Sequence, residues 1–295
     1  MRNFILGTDW WTDCDDCMAL RILCRAHKKG EINLMGVCLN AIMEDSTPSL
    51  SAFMNAEGLF GIPIGADQDA TDYIGNVLYQ QRLAKMPHEI NSNEEAMEGV
   101  AFYRKLLAQS TEPVEILEIG FLQVVGNLLE SEPDEYSPLD GISLVSEKVR
   151  KFWIMAGKWD EDGGRENNLC QTARASVGAE KFCRLCPVPV EFLGWECGNS
   201  VISGGNILPE NDVLRTAMTD FGAENGRNSW DPLTAILALD DNPDVSGYKL
   251  IHGTATVEAQ NGKNHFTRDE NGLHCYTVML KNVDFYSERV NEKII

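Results

Sequence analysis

Short apolar runs alternate with amphipathic helical patterns along nearly the whole chain, and this alternation restricts the fold more than any other feature. Residues 4–8, 32–39, 62–64, 114–119, 152–155 and 188–193 read as strands. Helical patterns lie between or after them at 15–29, 48–60, 96–108, 122–129, 141–148, 172–186, 212–221 and 231–239. The first of these helices sets Met18, Ile22 and Leu23 on one face, with acids in its first turn and Arg25, Lys28 and Lys29 in its last, as the helix dipole favours. Pro232 falls in the first turn of the 231–239 helix, where its missing N–H costs nothing. Residues 248–257 and 273–280 read as an antiparallel pair around a polar connection, and 283–293 as a closing helix. Repeated strand-helix-strand units give an α/β class: an open, mainly parallel sheet with helices on both faces, plus a small antiparallel C-terminal extension. With no internal repeat and no linker, residues 1–295 read as a single domain.

Composition narrows the partners. There are 45 Asp and Glu against 25 Lys and Arg, a net charge of −20, and no segregated basic stripe, which argues against a nucleic-acid polymer. A 43% hydrophobic content supports a real core rather than an acidic disordered chain. No stretch approaches the roughly 18 apolar residues needed to span a membrane. The chain reaches Gly7-Thr8-Asp9 too soon for a signal-peptide apolar region, so the cytoplasm is the expected compartment. Nine cysteines include Cys14-x-x-Cys17 and Cys183-x-x-Cys186, but with no histidine pair at a matching spacing they read as buried, reduced thiols.

Parallel sheets place ligands at the carboxyl ends of their strands. The first strand runs out into Gly7-Thr8-Asp9-Trp10-Trp11-Thr12-Asp13-Cys14-Asp15-Asp16, four carboxylates within eight residues. Such a cluster repels itself unless a cation is bound, and flexible oxygen ligands point to calcium before magnesium. Helix capping by Asp13, with Asp15 and Asp16 favouring a helix start, is the alternative, but it leaves Asp9 without a role.

The opening run resembles that of the inosine-uridine nucleoside hydrolase family, in which an apolar strand leads to Asp-Thr-Asp and, in one branch, a longer acidic turn. Further blocks follow in the family's order. Gly120-Phe121-Leu122-Gln123-Val124 stands for Gly-Pro-Leu-Thr-Asn, Met155-Ala156-Gly157-Lys158 for Met-Gly-Gly-Asn, Glu166-Asn167-Asn168 for Glu-x-Asn, and Trp230-Asp231-Pro232-Leu233 for His-Asp-Pro-Leu. The resemblance implies a Rossmann-like nucleoside hydrolase fold. It also implies calcium held by Asp9, Asp16, Asp231 and the backbone carbonyl of Gln123, and Asp9 as the base that takes a proton from water. Sugar hydroxyls are then expected to meet Asp15, Glu166, Asn168 and Asn40, and the substrate to lie against Trp230 and Trp195. The implied ligand is a small nucleoside or ribosyl compound, and the implied assembly a homodimer or homotetramer.

Three departures from the family pattern bear on the chemistry. Gly7 replaces the first Asp of the opening motif, Lys158 brings a cation beside the sugar unless it turns outward, and Trp230 replaces the His that protonates the leaving base in some members. His265 and His274, in the polar hairpin region, are the candidates for another acid. Five of six tryptophans, Trp10, Trp11, Trp159, Trp195 and Trp230, lie beyond strand ends or beside motifs, consistent with a stacking wall. A ribosyl-binding relative without catalysis is the alternative function. A phosphohydrolase with an Asp nucleophile is a weaker one, because Gly7-x-Asp9 breaks the Asp-x-Asp spacing that chemistry needs.

Overall fold

A strand buried on both faces needs apolar side chains at successive positions, and Arg2–Thr8 (β1) supplies Phe4, Ile5 and Leu6, all fully buried. A computed structural model describes residues 1–295. Beyond β1, the strands in chain order are Ile32–Leu39 (β2), Ile64–Ala66 (β3), Met97–Glu98 (β4), Val114–Glu118 (β5), Val149–Met155 (β6), Val190–Leu193 (β7), Ile202–Ser203 (β8), Arg227–Asn228 (β9), Tyr248–Val257 (β10), Asn264–Arg268 (β11) and His274–Met279 (β12). Ten of them form one sheet in the order β11-β10-β12-β7-β6-β5-β1-β2-β3-β4, and β8 and β9 form a separate antiparallel pair. Every pairing from β4 across to β12 is parallel, and only β10 runs antiparallel to its neighbours β11 and β12.

The side-chain alternation of the strands divides the core between the two faces of the sheet. Phe4, Leu6, Leu117, Trp153 and Met155 join a cluster of 49 buried residues that includes the helices Asp15–Lys28, Val213–Phe221 and Trp230–Asp240. Ile5, Ile116, Phe152 and Ile154 face the other way, into a cluster of 31 with the helices Gly99–Gln109, Gln123–Leu129 and Ala173–Leu185. No helix is long and apolar enough to cross a membrane. All nine cysteines are free, and eight of them are buried.

The polar connection expected between the two C-terminal strands holds a strand of its own, β11. Asn264, His265, Thr267 and Arg268 leave no apolar alternation because β11 is the sheet edge, exposed at its C-terminal end. The two-residue strands β4, β8 and β9 are too short to show any period. The helix Leu78–Leu83 lies in a segment whose sequence carries no geometric cue.

The order around β1 matters most for function. The chain leaves β1 for β2 on one side, while β5, β6 and β7 extend on the other, so a crevice opens where the carboxyl ends of β1 and β5 diverge. Gly7 and Glu118 pair in register across this junction, and a Cβ at residue 7 would overlap the Glu118 carboxylate. The carboxylate that Gly7 lacks is thus supplied in the same space by the neighbouring strand. Glu118 accepts a hydrogen bond from Asn40 Nδ2 at 2.6 Å and one from the Tyr103 hydroxyl at 3.3 Å. Asn40 Oδ1 in turn accepts the N–H of Phe121 at 3.0 Å. Burial raises the Glu118 carboxyl to about 8, against the opposing hydrogen bond of the Gly120 N–H.

Two outcomes are expected. Gly7→Ala lowers stability by about 1–3 kcal/mol in urea unfolding, because the added methyl has no room. The stability that the raised Glu118 pKa contributes is complete below its ordinary value and is lost as pH rises toward about 8. Glu118→Gln should therefore lose less stability than the wild type between about pH 5 and pH 8; equal losses would contradict this reading of the buried carboxyl.

Candidate active site

The turn after β1 is built on one strained residue. Trp10 adopts φ 45°, a left-handed conformation costly for a bulky side chain. Its ring is fully buried, edge-on to Phe53 and Tyr79, with Nε1 donating to Ser49 at 3.0 Å. The carbonyl of Trp10 accepts from the Gln80 amide, and that of Trp11 from the Tyr79 hydroxyl at 2.7 Å, so the helix Leu78–Leu83 fastens the turn from outside. The strained backbone then aims two N–H groups at carboxylates: Trp10 donates to Asp16 Oδ1 at 3.2 Å and Trp11 to Asp9 Oδ1 at 3.1 Å.

Asp15 and Asp16 open the helix Asp15–Lys28, and Asp231 lies in the first turn of Trp230–Asp240, whose N–H at Asp231 donates to Asp15 Oδ2 at 3.2 Å. Two helix N-termini therefore meet at one point and favour negative charge there. One carboxylate oxygen from each of Asp15, Asp16 and Asp231 lies within 4.8 Å of the other two, and all three residues are buried. Burial and the neighbouring carboxylates push the three acids well above the usual range. Burial likewise lifts Asp9 to about 8, opposed by the Trp11 N–H. Such a group is stable in its charged form only with a counter-charge, and three oxygens at this span fit the coordination sphere of a hard divalent cation, about 2.3–2.6 Å in radius for calcium.

This trio differs from the set implied by motif comparison. Asp15, expected at the sugar, converges with Asp16 and Asp231, while Asp9 lines the same cavity but stands outside the trio. Gln123 is not among the lining residues. It is the first residue of its helix, and its side-chain amide donates to Asp67 and to the Asn40 carbonyl. Asn40 also lies outside the cavity, its amide occupied by Glu118 and Phe121.

Glu166 and Asn168 do reach the cavity, from the loop after β6. Glu166 accepts the N–H of Gly157 at 3.0 Å on one oxygen and that of Asn168 at 2.9 Å on the other, and burial raises its carboxyl to about 7. Asn168 Nδ2 donates to the carbonyls of Ile119 at 3.1 Å and Met155 at 2.9 Å, which leaves Oδ1 as its free polar atom. The edge strand steadies this loop: Asn264 pairs through its side chain with both backbone groups of Lys158, at 3.0 and 2.8 Å. The Lys158 ammonium pairs with Asp160 and Glu161 and does not line the cavity.

The tryptophan wall is smaller than the sequence suggests. Trp11, Trp195 and Trp230 line the cavity with Phe121 and Met155, whereas Trp10 and Trp159 are core residues, the latter packed on Phe192 and Tyr276. Trp230 Nε1 donates to the Trp195 carbonyl at 2.7 Å. Neither candidate acid arrives: His265 is clasped by Asp162 and Glu258 at the surface, and His274 is buried, its Nδ1 accepting the Ala255 N–H. Sequence reading missed Arg227, which lines the cavity and grips Asp13 with Nε at 2.8 Å, tying the first motif to the last. Asp13 does not cap the helix after it; that position belongs to Cys14. A lone Arg in a two-residue strand carries no sequence signal of this contact.

No protein-family model matches the chain, and no curated protein sequence does. Solved structures do. An inosine-uridine preferring nucleoside hydrolase from Bacillus anthracis superposes with TM-score 0.68 at 13% identity, covering 99% of this chain and 100% of its own. A purine-preferring ribonucleoside hydrolase from Gardnerella vaginalis gives TM-score 0.73 at 14% identity, covering 99% and 98%. The type III effector protein XopQ, complexed with adenosine diphosphate ribose, gives 0.69 at 15%, covering 100% and 94%. Over its full length, with an acidic cavity at the switch point of its sheet, this chain has the nucleoside hydrolase fold.

Proposed function

We propose that the protein hydrolyses the N-glycosidic bond of a ribonucleoside or a related ribosyl compound, releasing base and ribose, with calcium as its metal. The observation that carries this reading is the gathering of Asp9, Asp15, Asp16, Glu166, Asn168 and Asp231 in one cavity at the carboxyl ends of the strands. Asp15, Asp16 and Asp231 would hold the cation, which when bound supplies Lewis acidity at the reacting water and the sugar hydroxyls. Asp9 keeps Oδ2 free while Oδ1 accepts the Trp11 N–H, so it can take the proton of the attacking water. Glu166, its carboxylate fixed by two backbone N–H groups, accepts hydrogen bonds from sugar hydroxyls, and Asn168 does so through Oδ1. The surrounding carboxylates stabilise the positive charge that develops on the sugar as the bond opens.

A second reading, a ribosyl-binding protein without turnover, is favoured by one feature: none of the cavity residues is a histidine, and Trp230 stands where an acid would assist a leaving base. Release of reducing sugar from a panel of ribosides separates the two. Hydrolysis predicts turnover that is abolished by chelation, restored by calcium, and reduced at least about 10²-fold in Asp9→Asn. Calorimetric binding of a ribosyl ligand with no product from any member of the panel, and turnover gained in Trp230→His, would establish the second reading instead.

A further inference from the structure

We propose that Arg227 is a positioning residue for the metal site: its grip on Asp13 holds the starts of the helices Asp15–Lys28 and Trp230–Asp240 at the separation that brings Asp15, Asp16 and Asp231 together. It rests on the metal reading of the cavity, and adds to it a determinant of cation affinity that contributes no ligand atom.

The three carboxylates come from two places in the chain. Asp15 and Asp16 stand in the first turn of one helix and Asp231 in the first turn of the other, 216 residues on from Asp15. The span of their oxygens, within 4.8 Å, is therefore set by how the two helix starts sit against each other. One polar contact between them is the Asp231 N–H on Asp15 Oδ2, at 3.2 Å near the long limit for such a bond. A second is the Arg227 guanidinium on Asp13. Its Nε lies 2.8 and 3.1 Å from the two carboxylate oxygens, and Nη2 donates to Oδ2.

Each end of that pair is fastened to a helix start. Asp13 Oδ1 also accepts, at 2.7 Å, the N–H of Cys14, the residue at the cap of Asp15–Lys28. Arg227 opens β9, two residues ahead of Ser229, which holds the cap position of Trp230–Asp240. Its guanidinium lies over the Trp230 ring at 5.3 Å, and Nη1 donates to Asn228 Oδ1 at 2.9 Å. That ring is bonded in turn to the Trp195 carbonyl and packed so closely on Gly198 that a Cβ there would overlap it. A planar fork on a carboxylate restrains both distance and orientation, which a point charge does not.

Charge alone predicts the opposite effect. A guanidinium beside a metal site repels the metal, so an Arg acting only through its field weakens calcium binding, and its removal tightens it. Acting through geometry, its removal frees the two helix starts and weakens binding. Loss of an outer support behind metal ligands typically costs about 10–100-fold in affinity. The sign of the change separates the two.

The test is calorimetric titration of calcium into the metal-stripped full chain, with urea unfolding of each variant, without metal, to establish that it is folded. Arg227→Gln is expected to bind calcium at least about ten-fold more weakly than wild type. Arg227→Lys, which keeps the charge but not the fork, is expected to fall between them. Asp13→Asn weakens binding too, and the double variant is no weaker than the weaker single variant, because both changes break one contact. Calcium bound by Arg227→Gln as tightly as by wild type, or more tightly, would overturn the proposal, and so would losses that add in the double variant. If Arg227→Gln does not fold, Arg227→Lys decides: weaker binding with an unchanged urea midpoint supports the proposal, and wild-type affinity overturns it. A wild-type chain that takes up no calcium overturns the metal assignment itself, and this proposal with it.

Discussion

The mutual repulsion of Asp15, Asp16 and Asp231 is the constraint on which the rest of the site depends. Three buried carboxylates with oxygens within 4.8 Å of one another are unstable as anions without help. The fold supplies part of that help through two helix N-termini and the N–H groups of Trp10 and Asp231. These donors position the acids but carry no full positive charge, and Arg227 is already paired with Asp13. A divalent cation among them would let the three stand together as anions at neutral pH.

Strain and anchoring elsewhere follow from the same requirement. The left-handed Trp10 is held by a fully buried ring and by Tyr79 and Gln80, residues far from the chemistry. Glu118 fills the space above Gly7 and, through Asn40, fixes the N–H of Phe121 at the cavity edge. The edge strand β11 reaches the site only indirectly, through the Asn264 grip on Lys158 at the start of the loop that bears Glu166. Each of these supports lies outside the lining residues.

Much of this was legible in the sequence, for identifiable reasons. Strand-helix alternation located the central strands, the strand-end rule pointed to Asp9, Asp15 and Asp16, and the family resemblance added Glu166, Asn168 and Asp231; all six reach one cavity. What the sequence could not show depends on contacts between distant segments. Asn40 sits at the right strand end, yet its amide is consumed by Glu118 and Phe121, partners that no local pattern announces. Gly7 removes a carboxylate from the opening motif, and Glu118 occupies its place from the neighbouring strand. Trp10 and Trp159 shared the position of the cavity tryptophans but point into the core, a direction set by packing rather than by spacing. Lys158, alarming beside a sugar, is drawn off by Asp160 and Glu161.

Six of the 45 acids line the cavity, where a bound cation and a developing positive charge would both be favoured. Anomalous diffraction from crystals grown with calcium tests this account most directly. It predicts one ion between the carboxylates of Asp15, Asp16 and Asp231, with Asp9 beside it. The same carboxylates splayed apart, with no ion among them, would contradict it.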